Sequence, residues 1–271
     1  DIHKGECVLL CGDSGCGKTT VTRLINGLIP HFYEGELTGS VRVCGMNVPE
    51  EEIYTVSRKV GSVFQNPRSQ FFCLDTSSEL AFGCENLGMP VEQINERVKY
   101  AAEELELENL LDRDIFKLSG GEKQRIACGS VSAMLPDIIV LDEPTSNLDA
   151  ESIELLKRIL ALWKKQNKTI IIAEHRLYWL KDICDRAVYL SDGKIQMDIP
   201  MRELTDYSEQ KMEKLGLRSI NADFQSQINK SDWSPPSQNE PDTITLKDYV
   251  FAYDVKTILD IRNLQIPRNE V

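Results

Sequence analysis

The sequence lacks long apolar runs. In 271 residues the longest run is five apolar side chains, reached at 7–11, 159–163 and 249–253. A helix that crosses a bilayer needs about 20 such residues. We therefore expect any role at a membrane to depend on a partner protein.

The chain also lacks an excess of basic side chains. It has 31 Lys and Arg residues against 43 Asp and Glu residues, a formal net charge of −12. A protein that binds nucleic acid over a broad surface needs positive charge to displace counterions from the phosphates. The charge balance predicts no nucleic-acid partner.

Histidine is scarce, and the cysteines do not follow a metal-binding pattern. There are 3 His and 8 Cys residues, with no C-x-x-C pair. The cysteines are typical of small buried residues in a reduced, cytoplasmic protein, and structural zinc is not expected. No signal-peptide pattern follows Asp1, and we interpret the chain as a segment of a longer protein.

Short apolar runs at 6–10, 138–141 and 169–173 predict three buried strands. Helical periodicity follows at 18–28 and at about 152–166. Strand, helix and strand in this order predict an α/β fold with a three-layer core around a parallel sheet.

The remaining chain divides by composition. Residues 66–135 predict an inserted helical subdomain, in which one helix has a single apolar face. That face consists of Val91, Ile94, Val98, Ala101, Ala102 and Leu105. We therefore predict a main domain over 1–204, a polar linker over 205–242 and renewed strands over 243–271.

A phosphate-binding loop is predicted between the first strand and the first helix. Residues 12–19, GDSGCGKT, fit the pattern G-x-x-x-x-G-K-[ST]. In such loops backbone N–H groups surround the phosphates, the lysine reaches the β- and γ-phosphates, and the hydroxyl ligates Mg²⁺. The predicted nucleotide-binding residues here are Gly12, Ser14, Gly15, Cys16, Gly17, Lys18, Thr19 and Thr20. Cys16 is open to two interpretations, a redox-sensitive thiol or a small side chain that fits the loop.

Two acids follow the second predicted strand. Asp142 and Glu143 lie at its carboxyl end, where parallel α/β sheets bind ligands. Adjacent strand residues point in opposite directions, so the two carboxylates should have different roles. We predict that Asp142 holds Mg²⁺ and that Glu143 polarises the water that attacks the γ-phosphorus.

A second anion-binding helix start is predicted at Leu118-Ser119-Gly120-Gly121-Glu122. Ser119 and Glu122 have the S-x-x-E spacing of a capping box, which predicts a helix beginning at Ser119. The N–H groups at such an end attract anions.

Together these residues resemble the ATP-binding cassette family. The matches are the phosphate loop 12–19, Gln65 in VFQNP, the signature 118–122, the acids 142–143, the segment 146–149, and His175 in AEHR. The resemblance implies that ATP and Mg²⁺ are bound and that a second cassette is the partner in a head-to-tail dimer. In that dimer the Ser119, Gly120 and Gly121 loop of one copy contacts the γ-phosphate held by the other.

The resemblance also implies roles for individual residues. Gln65 would sense Mg²⁺ and the attacking water. His175, 32 residues after Glu143, would bond the γ-phosphate and support Glu143 in catalysis. Asp149 would reach across the dimer towards the opposite site.

Within the family, Phe71-Phe72 and the stretch ELAFGCENLG at 79–88 resemble the ATPases of energy-coupling factor transporters. That likeness implies import of a vitamin or a metal ion through an integral membrane subunit. The chain would then be cytoplasmic and peripheral on the inner face of the cell membrane.

The sequence departs from the family pattern at its start, because the antiparallel strands that normally precede the phosphate loop are missing. Residues 244–271 are similar to those strands, with Tyr253 in the place of the adenine-stacking aromatic residue. We interpret the chain as most of one cassette and the opening of a second. The late strands could dock on their own domain, swap into a neighbour or form a disordered tail.

An alternative function is a soluble cassette that acts as an ATP switch on ribosomes or DNA. Residues 205–242 hold more acidic than basic side chains, which disfavours RNA. DNA-repair relatives insert a long coiled coil between phosphate loop and signature, but only about 100 residues separate these motifs here.

Overall fold

A computed structural model of the chain describes residues 1–221, 244–253 and 256–266. The strands are β1 (Cys7–Gly12), β2 (Arg42–Val43), β3 (Met46–Asn47), β4 (Val60–Val63), β5 (Ile138–Asp142), β6 (Thr169–Ala173), β7 (Arg186–Ser191), β8 (Lys194–Pro200), β9 (Ile244–Tyr253) and β10 (Lys256–Ile266). The α-helices are α1 (Lys18–Ile25), α2 (Leu28–His31), α3 (Ile53–Ser57), α4 (Thr76–Asn86), α5 (Val91–Glu104), α6 (Gly120–Ala133), α7 (Ala150–Lys165), α8 (Met201–Thr205) and α9 (Glu209–Lys214).

The central sheet has six strands in the order β4-β5-β6-β1-β7-β8. All neighbouring pairs are parallel except β7 and β8, which are antiparallel at one edge. Strands β1, β5 and β6 match the three strands predicted from apolar runs. The prediction of an α/β fold with a parallel sheet is therefore confirmed.

Helices cover both faces of this sheet. Along β1 the side chains of Cys7, Leu9 and Cys11 join a core that includes residues of α6 and α7. The alternate residues Val8 and Leu10 join a second core against α1. Because successive strand residues point to opposite faces, this alternation produces the three layers.

Strand β4 was not predicted because a glycine interrupts its apolar pattern. A Cβ atom at Gly61 would lie 2.4 Å from Cγ1 of Val131 on α6. The glycine thus permits α6 to pack closely on the strand that leads to Gln65.

The segment 66–135 contains α4, α5 and α6, joined by turns. Ile94 and Ala101 on α5 form a small core with Cys84 and Ala133. Val91 departs from the prediction, since its side chain is 72% exposed at the start of the helix. Among the helices in the described ranges, none combines the length and the apolar content that crossing a bilayer requires.

The prediction that a polar linker begins at residue 205 is wrong for residues 205–221, which belong to the folded unit. Met212, Leu217 and Ile220 are buried against the main core, and the hydroxyl of Tyr189 donates to the carbonyl of Leu215 at 3.0 Å. Three apolar side chains in a polar stretch are enough to dock α9, so the folded unit extends to residue 221. Most of the predicted linker, 222–243, lies outside the described residues.

Strands β9 and β10 form an antiparallel hairpin that is a separate unit of the chain. The prediction of strands after residue 243 is confirmed for 244–253 and 256–266. In this hairpin the apolar residues Ile244 and Val250 are more than 60% exposed. The side chain of Tyr253 and the residues 267–271 lie outside the described residues, so the assignment of these strands to a cassette stays a prediction.

Candidate functional site

The phosphate loop connects β1 to α1. Gly12, Gly15 and Gly17 have φ of 144°, 79° and 105°, a range that favours glycine, and a Cβ on Gly12 would lie 2.1 Å from the carbonyl oxygen of Leu190. Gly17 precedes α1 without any side-chain cap. The first N–H groups of α1 are therefore not used by a capping side chain, and they suit an anion.

Lys18 is buried beneath this loop, with 4% of its surface exposed. Its ammonium group donates to the carbonyl oxygens of Gly12 at 2.9 Å and Asp13 at 2.8 Å. A cation held in this way has a fixed position and can exchange a carbonyl partner for a phosphate oxygen. The predicted residues Ser14, Gly15 and Thr20 are exposed.

Cys16 packs into the core beneath the loop. Its side chain is 5% exposed, and its Sγ is 3.7 Å from Nζ of Lys18. This burial favours the interpretation of a small side chain that fits the loop over that of an accessible redox-sensitive thiol.

Thr19 and Asp142 lie side by side. The hydroxyl of Thr19 donates to Oδ1 of Asp142 at 3.1 Å. Burial raises the pKa of the Asp142 carboxyl, the bond from Thr19 lowers it, and the charge of Glu143 raises it again. Two hard oxygen ligands in a place that disfavours an uncompensated negative charge fit Mg²⁺.

No group of three or more His, Cys, Asp or Glu side chains within the described ranges is arranged to hold a metal by itself. Mg²⁺ in phosphate-loop proteins uses few protein ligands and takes others from water and phosphate.

Glu143 follows β5 with a φ of 44°, a left-handed backbone that is rare for a residue with a side chain. Its Oε1 is 3.1 Å from Nε2 of His175, and its Oε2 accepts from Nε2 of Gln65 at 2.8 Å. Both ends of the carboxylate are thus fixed by side chains from neighbouring strand ends. The structure brings together the three residues predicted for catalysis.

The predicted capping box at the start of α6 is present. The hydroxyl of Ser119 accepts from the N–H of Glu122 at 3.3 Å, and Oε2 of Glu122 accepts from the N–H of Ser119 at 2.8 Å. The latter bond is the main cause that lowers the pKa of Glu122. A Cβ on Gly121 would lie 2.1 Å from the hydroxyl of Ser152 on α7.

The signature loop is not joined to the phosphate loop of its own chain. Among the described residues no hydrogen bond connects Ser119, Gly120 or Gly121 to residues 12–19. The Asp149 carboxylate accepts from the N–H of Ser152 at 2.8 Å and thereby caps α7. The two helix starts predicted to bind anions are therefore separate within residues 1–221.

Sequence reasoning missed Thr145 and Glu174, which are both buried and hydrogen-bonded to each other. Thr145 follows Glu143 by two residues, and Glu174 precedes His175. The acid at the end of the apolar run 169–173 was the only available signal for Glu174.

A phosphate loop, the contact between Thr19 and Asp142 at the end of β5, and the fixed carboxylate of Glu143 define a nucleotide-binding domain of the phosphate-loop class. The family model described as ABC transporter matches residues 1–146, more than half of the chain. The chain therefore belongs to the ABC transporter family.

Curated relatives agree with this family. A putative ABC transporter ATP-binding protein of Treponema denticola is 54% identical over 220 residues, which is 81% of this chain and 45% of that protein. Another from the same organism is 42% identical over 256 residues, 94% of this chain and 52% of that protein. The chain thus spans about half the length of these relatives.

Solved structures agree with the fold. The structure of cbiO1 from Clostridium perfringens, described as part of the ABC transporter complex cbiONQ, has a TM-score of 0.69 and 28% identity, covering 80% of this chain and 86% of that one. A dimeric ATP-binding cassette in a post-hydrolysis state with ADP and Pi has a TM-score of 0.65 and 25% identity, covering 74% and 88%.

Proposed function

We propose that this chain binds and hydrolyses ATP to energise import of a small solute, a vitamin or a metal ion, through an integral membrane partner. The observation that carries the proposal is the Glu143 carboxylate, fixed between His175 and Gln65 beside the Thr19 and Asp142 pair. A carboxylate in this position can act as a general base towards water.

In this mechanism the phosphate loop binds the β- and γ-phosphates through its N–H groups and Lys18. The oxygen of a water attacks the γ-phosphorus while the bond to the bridging oxygen of ADP breaks. Glu143 accepts the proton that the water loses. Nε2 of His175 keeps the carboxylate aimed at that water.

The metal ligands come from the same strand ends. Thr19 and Asp142 would hold Mg²⁺, and the amide oxygen of Gln65 is available because its Nε2 donates to Glu143. When bound, the ion neutralises charge on the phosphate oxygens.

The second half of each site would come from another cassette, in the same polypeptide or in a second copy. Ser119, Gly120 and Gly121 would then contact the γ-phosphate held by Lys18 of the other cassette. Two observations support this: the chain spans about half of its curated relatives, and a similar cassette was solved as a dimer.

A cleft beside the site supports a membrane partner. It has a volume of about 500 Å³ and runs from Thr19 and Gln65 to the aromatic side chains of Phe32 and Phe72. Those two rings are 75% and 74% exposed. An apolar segment of a membrane subunit suits such a surface.

The likeness to cbiO1, which is described as part of an ABC transporter complex, supports a role in a transporter. The solute class rests on the resemblance of residues 71–72 and 79–88 to the ATPases of energy-coupling factor transporters. Docking on a membrane subunit would place the chain in the cytoplasm, on the inner face of the cell membrane. The net charge of −12 argues against nucleic acid as a partner.

Glu143→Gln tests this proposal, measured as phosphate release from Mg·ATP by the full chain. We expect turnover to fall on the order of 10²-fold to 10⁴-fold, because the amide cannot accept the proton, while ATP binding is kept. Glu154→Gln, an exposed change on α7, is the matched control and should leave turnover unchanged. Wild-type turnover in Glu143→Gln would remove Glu143 from this role.

A further inference from the structure

A buried carboxylate next to His175 takes no part in the steps above. Glu174 follows β6 and is 2% exposed. Its Oε1 accepts from the N–H groups of His175 at 2.7 Å and Arg176 at 3.1 Å. Its Oε2 accepts from the hydroxyl of Thr145 at 2.6 Å. Burying a carboxyl group is costly unless it is hydrogen-bonded, and these three bonds offset that cost.

These bonds join two loops of the site. Thr145 is fully buried and lies two residues after Glu143. Its bond to Glu174 therefore connects the loop that carries Glu143 to the loop that carries His175. A second link runs parallel to it, from the guanidinium of Arg176 to the carbonyl of Leu148 at 3.4 Å.

The position of His175 depends on this arrangement. Glu174 holds the backbone N–H of His175, and the ring of His175 reaches Oε1 of Glu143 at 3.1 Å. The connections therefore form a closed ring. Hydrogen bonds join Thr145 to Glu174, Glu174 to His175, and His175 to Glu143, and the backbone from Glu143 to Thr145 completes it. A shift in any member would change the distance between the ring and the carboxylate.

We infer that Glu174 and Thr145 are positioning residues, which set the distance between His175 and Glu143 and couple the loops that carry them. This inference rests on the proposed ATPase function. Misplacing a catalytic group by about 1 Å can cost on the order of 10²-fold in rate. Loss of the link should therefore lower kcat, while leaving the nucleotide-binding residues of the phosphate loop untouched.

Thr145→Val tests the inference, because valine has nearly the same shape as threonine and lacks only the hydroxyl. We expect kcat for ATP hydrolysis to fall on the order of 10-fold to 100-fold, with KM and ATP affinity unchanged. Rates are expressed per molecule that binds ATP, so that unfolded protein does not count. Thr145→Ser restores the hydroxyl and should restore kcat.

Thr76→Val is the matched control. Thr76 is also fully buried, and its hydroxyl donates to the carbonyl of Leu110 at 2.6 Å, within the helical segment. This hydroxyl also accepts from the N–H of Arg113 at 3.1 Å, so Thr76→Val removes two hydrogen bonds, and the variant should lose stability without a loss of kcat. An equal fall of kcat in Thr145→Val and Thr76→Val would indicate general destabilisation and would overturn the inference.

The remaining outcomes separate the two proposals. If Glu143→Gln is inactive while Thr145→Val hydrolyses ATP at the wild-type rate, the positioning role is wrong and the ATPase proposal stands. If wild-type protein releases no phosphate from Mg·ATP, both are wrong.

Discussion

The ionised carboxylate of Asp142 destabilises the fold of the nucleotide-free protein, and its proposed role as a metal ligand explains why it is there. Burial, and then the neighbouring Glu143, raise the pKa of its carboxyl group, against the opposing bond from Thr19. Since the folded pKa is raised, ionisation of Asp142 opposes folding at neutral pH. The ionised form is the one that ligates a cation, so the site gives up stability for metal affinity.

Asp142→Asn is therefore expected to raise the unfolding temperature of the nucleotide-free protein near neutral pH. The amide oxygen still accepts the Thr19 hydroxyl but carries no charge. The cost in the wild type is absent below the ordinary pKa of about 4 and grows as the pH rises. Above the raised folded pKa of Asp142 this cost is constant. The difference in unfolding temperature should accordingly be full at neutral pH and should narrow in acid, as the pH falls through the raised pKa towards about 4.

The same variant should lose the stabilisation that Mg·ATP gives to the wild type. A wild type that is more stable than Asp142→Asn at pH 8 without nucleotide would contradict this account of the carboxylate.

At the scale of single residues, the sequence predicted those side chains that belong to a motif of fixed spacing or that follow a predicted strand. Lys18, Thr19 and Asp142 follow from a motif and from a strand end, and the structure places the last two in contact. Thr145 and Glu174 could not be found in this way, because their roles depend on which loops meet after folding. Neither residue has a spacing in the sequence that reports the bond between them.

Helix α6 begins at a capping box next to two glycines that we propose bind phosphate. Its capping box satisfies the N–H groups of Ser119 and Glu122. The remaining N–H groups of the first turn, on Gly120 and Gly121, precede the point where intrahelical bonds begin. We propose that they contact a phosphate of the other cassette.

Ser119→Ala separates these contributions when it is compared with Ser208→Ala. Both serines cap a helix through their hydroxyl, at 3.3 Å from the N–H of Glu122 and Lys211. Each change should cost about 1 kcal/mol of unfolding free energy. Only Ser119→Ala should also lower ATP turnover, and equal turnover in both variants would argue against a nucleotide contact at α6.

Elements were predictable where one local signal dominated. Strands β1, β5 and β6 are continuous apolar runs, and α6 begins at a capping box. Strand β4 contains Gly61, whose purpose is close packing against α6 and is invisible in the sequence. Helix α9 was missed because only Met212 within its six residues reaches the core.

On the scale of the whole molecule, we propose that the first unit carries two different halves of a nucleotide site. The phosphate loop with Glu143 would form one half and the Ser119 loop the other, and no hydrogen bond connects them in the described part of the chain. A head-to-tail pairing of two cassettes would complete both. That pairing, the domain boundaries and the origin of the late hairpin are predictions that the sequence raised.

The central claim is that the Lys18 loop binds Mg·ATP, and calorimetric titration tests it most directly. Glu143→Gln in the full chain is the protein to titrate, because it should bind ATP without the heat of hydrolysis. We expect a saturable heat of binding. Adding Lys18→Ala should weaken affinity by about 10-fold to 100-fold, the effect of losing charge-assisted hydrogen bonds. No heat with Mg·ATP, or equal affinity without Lys18, would contradict the claim.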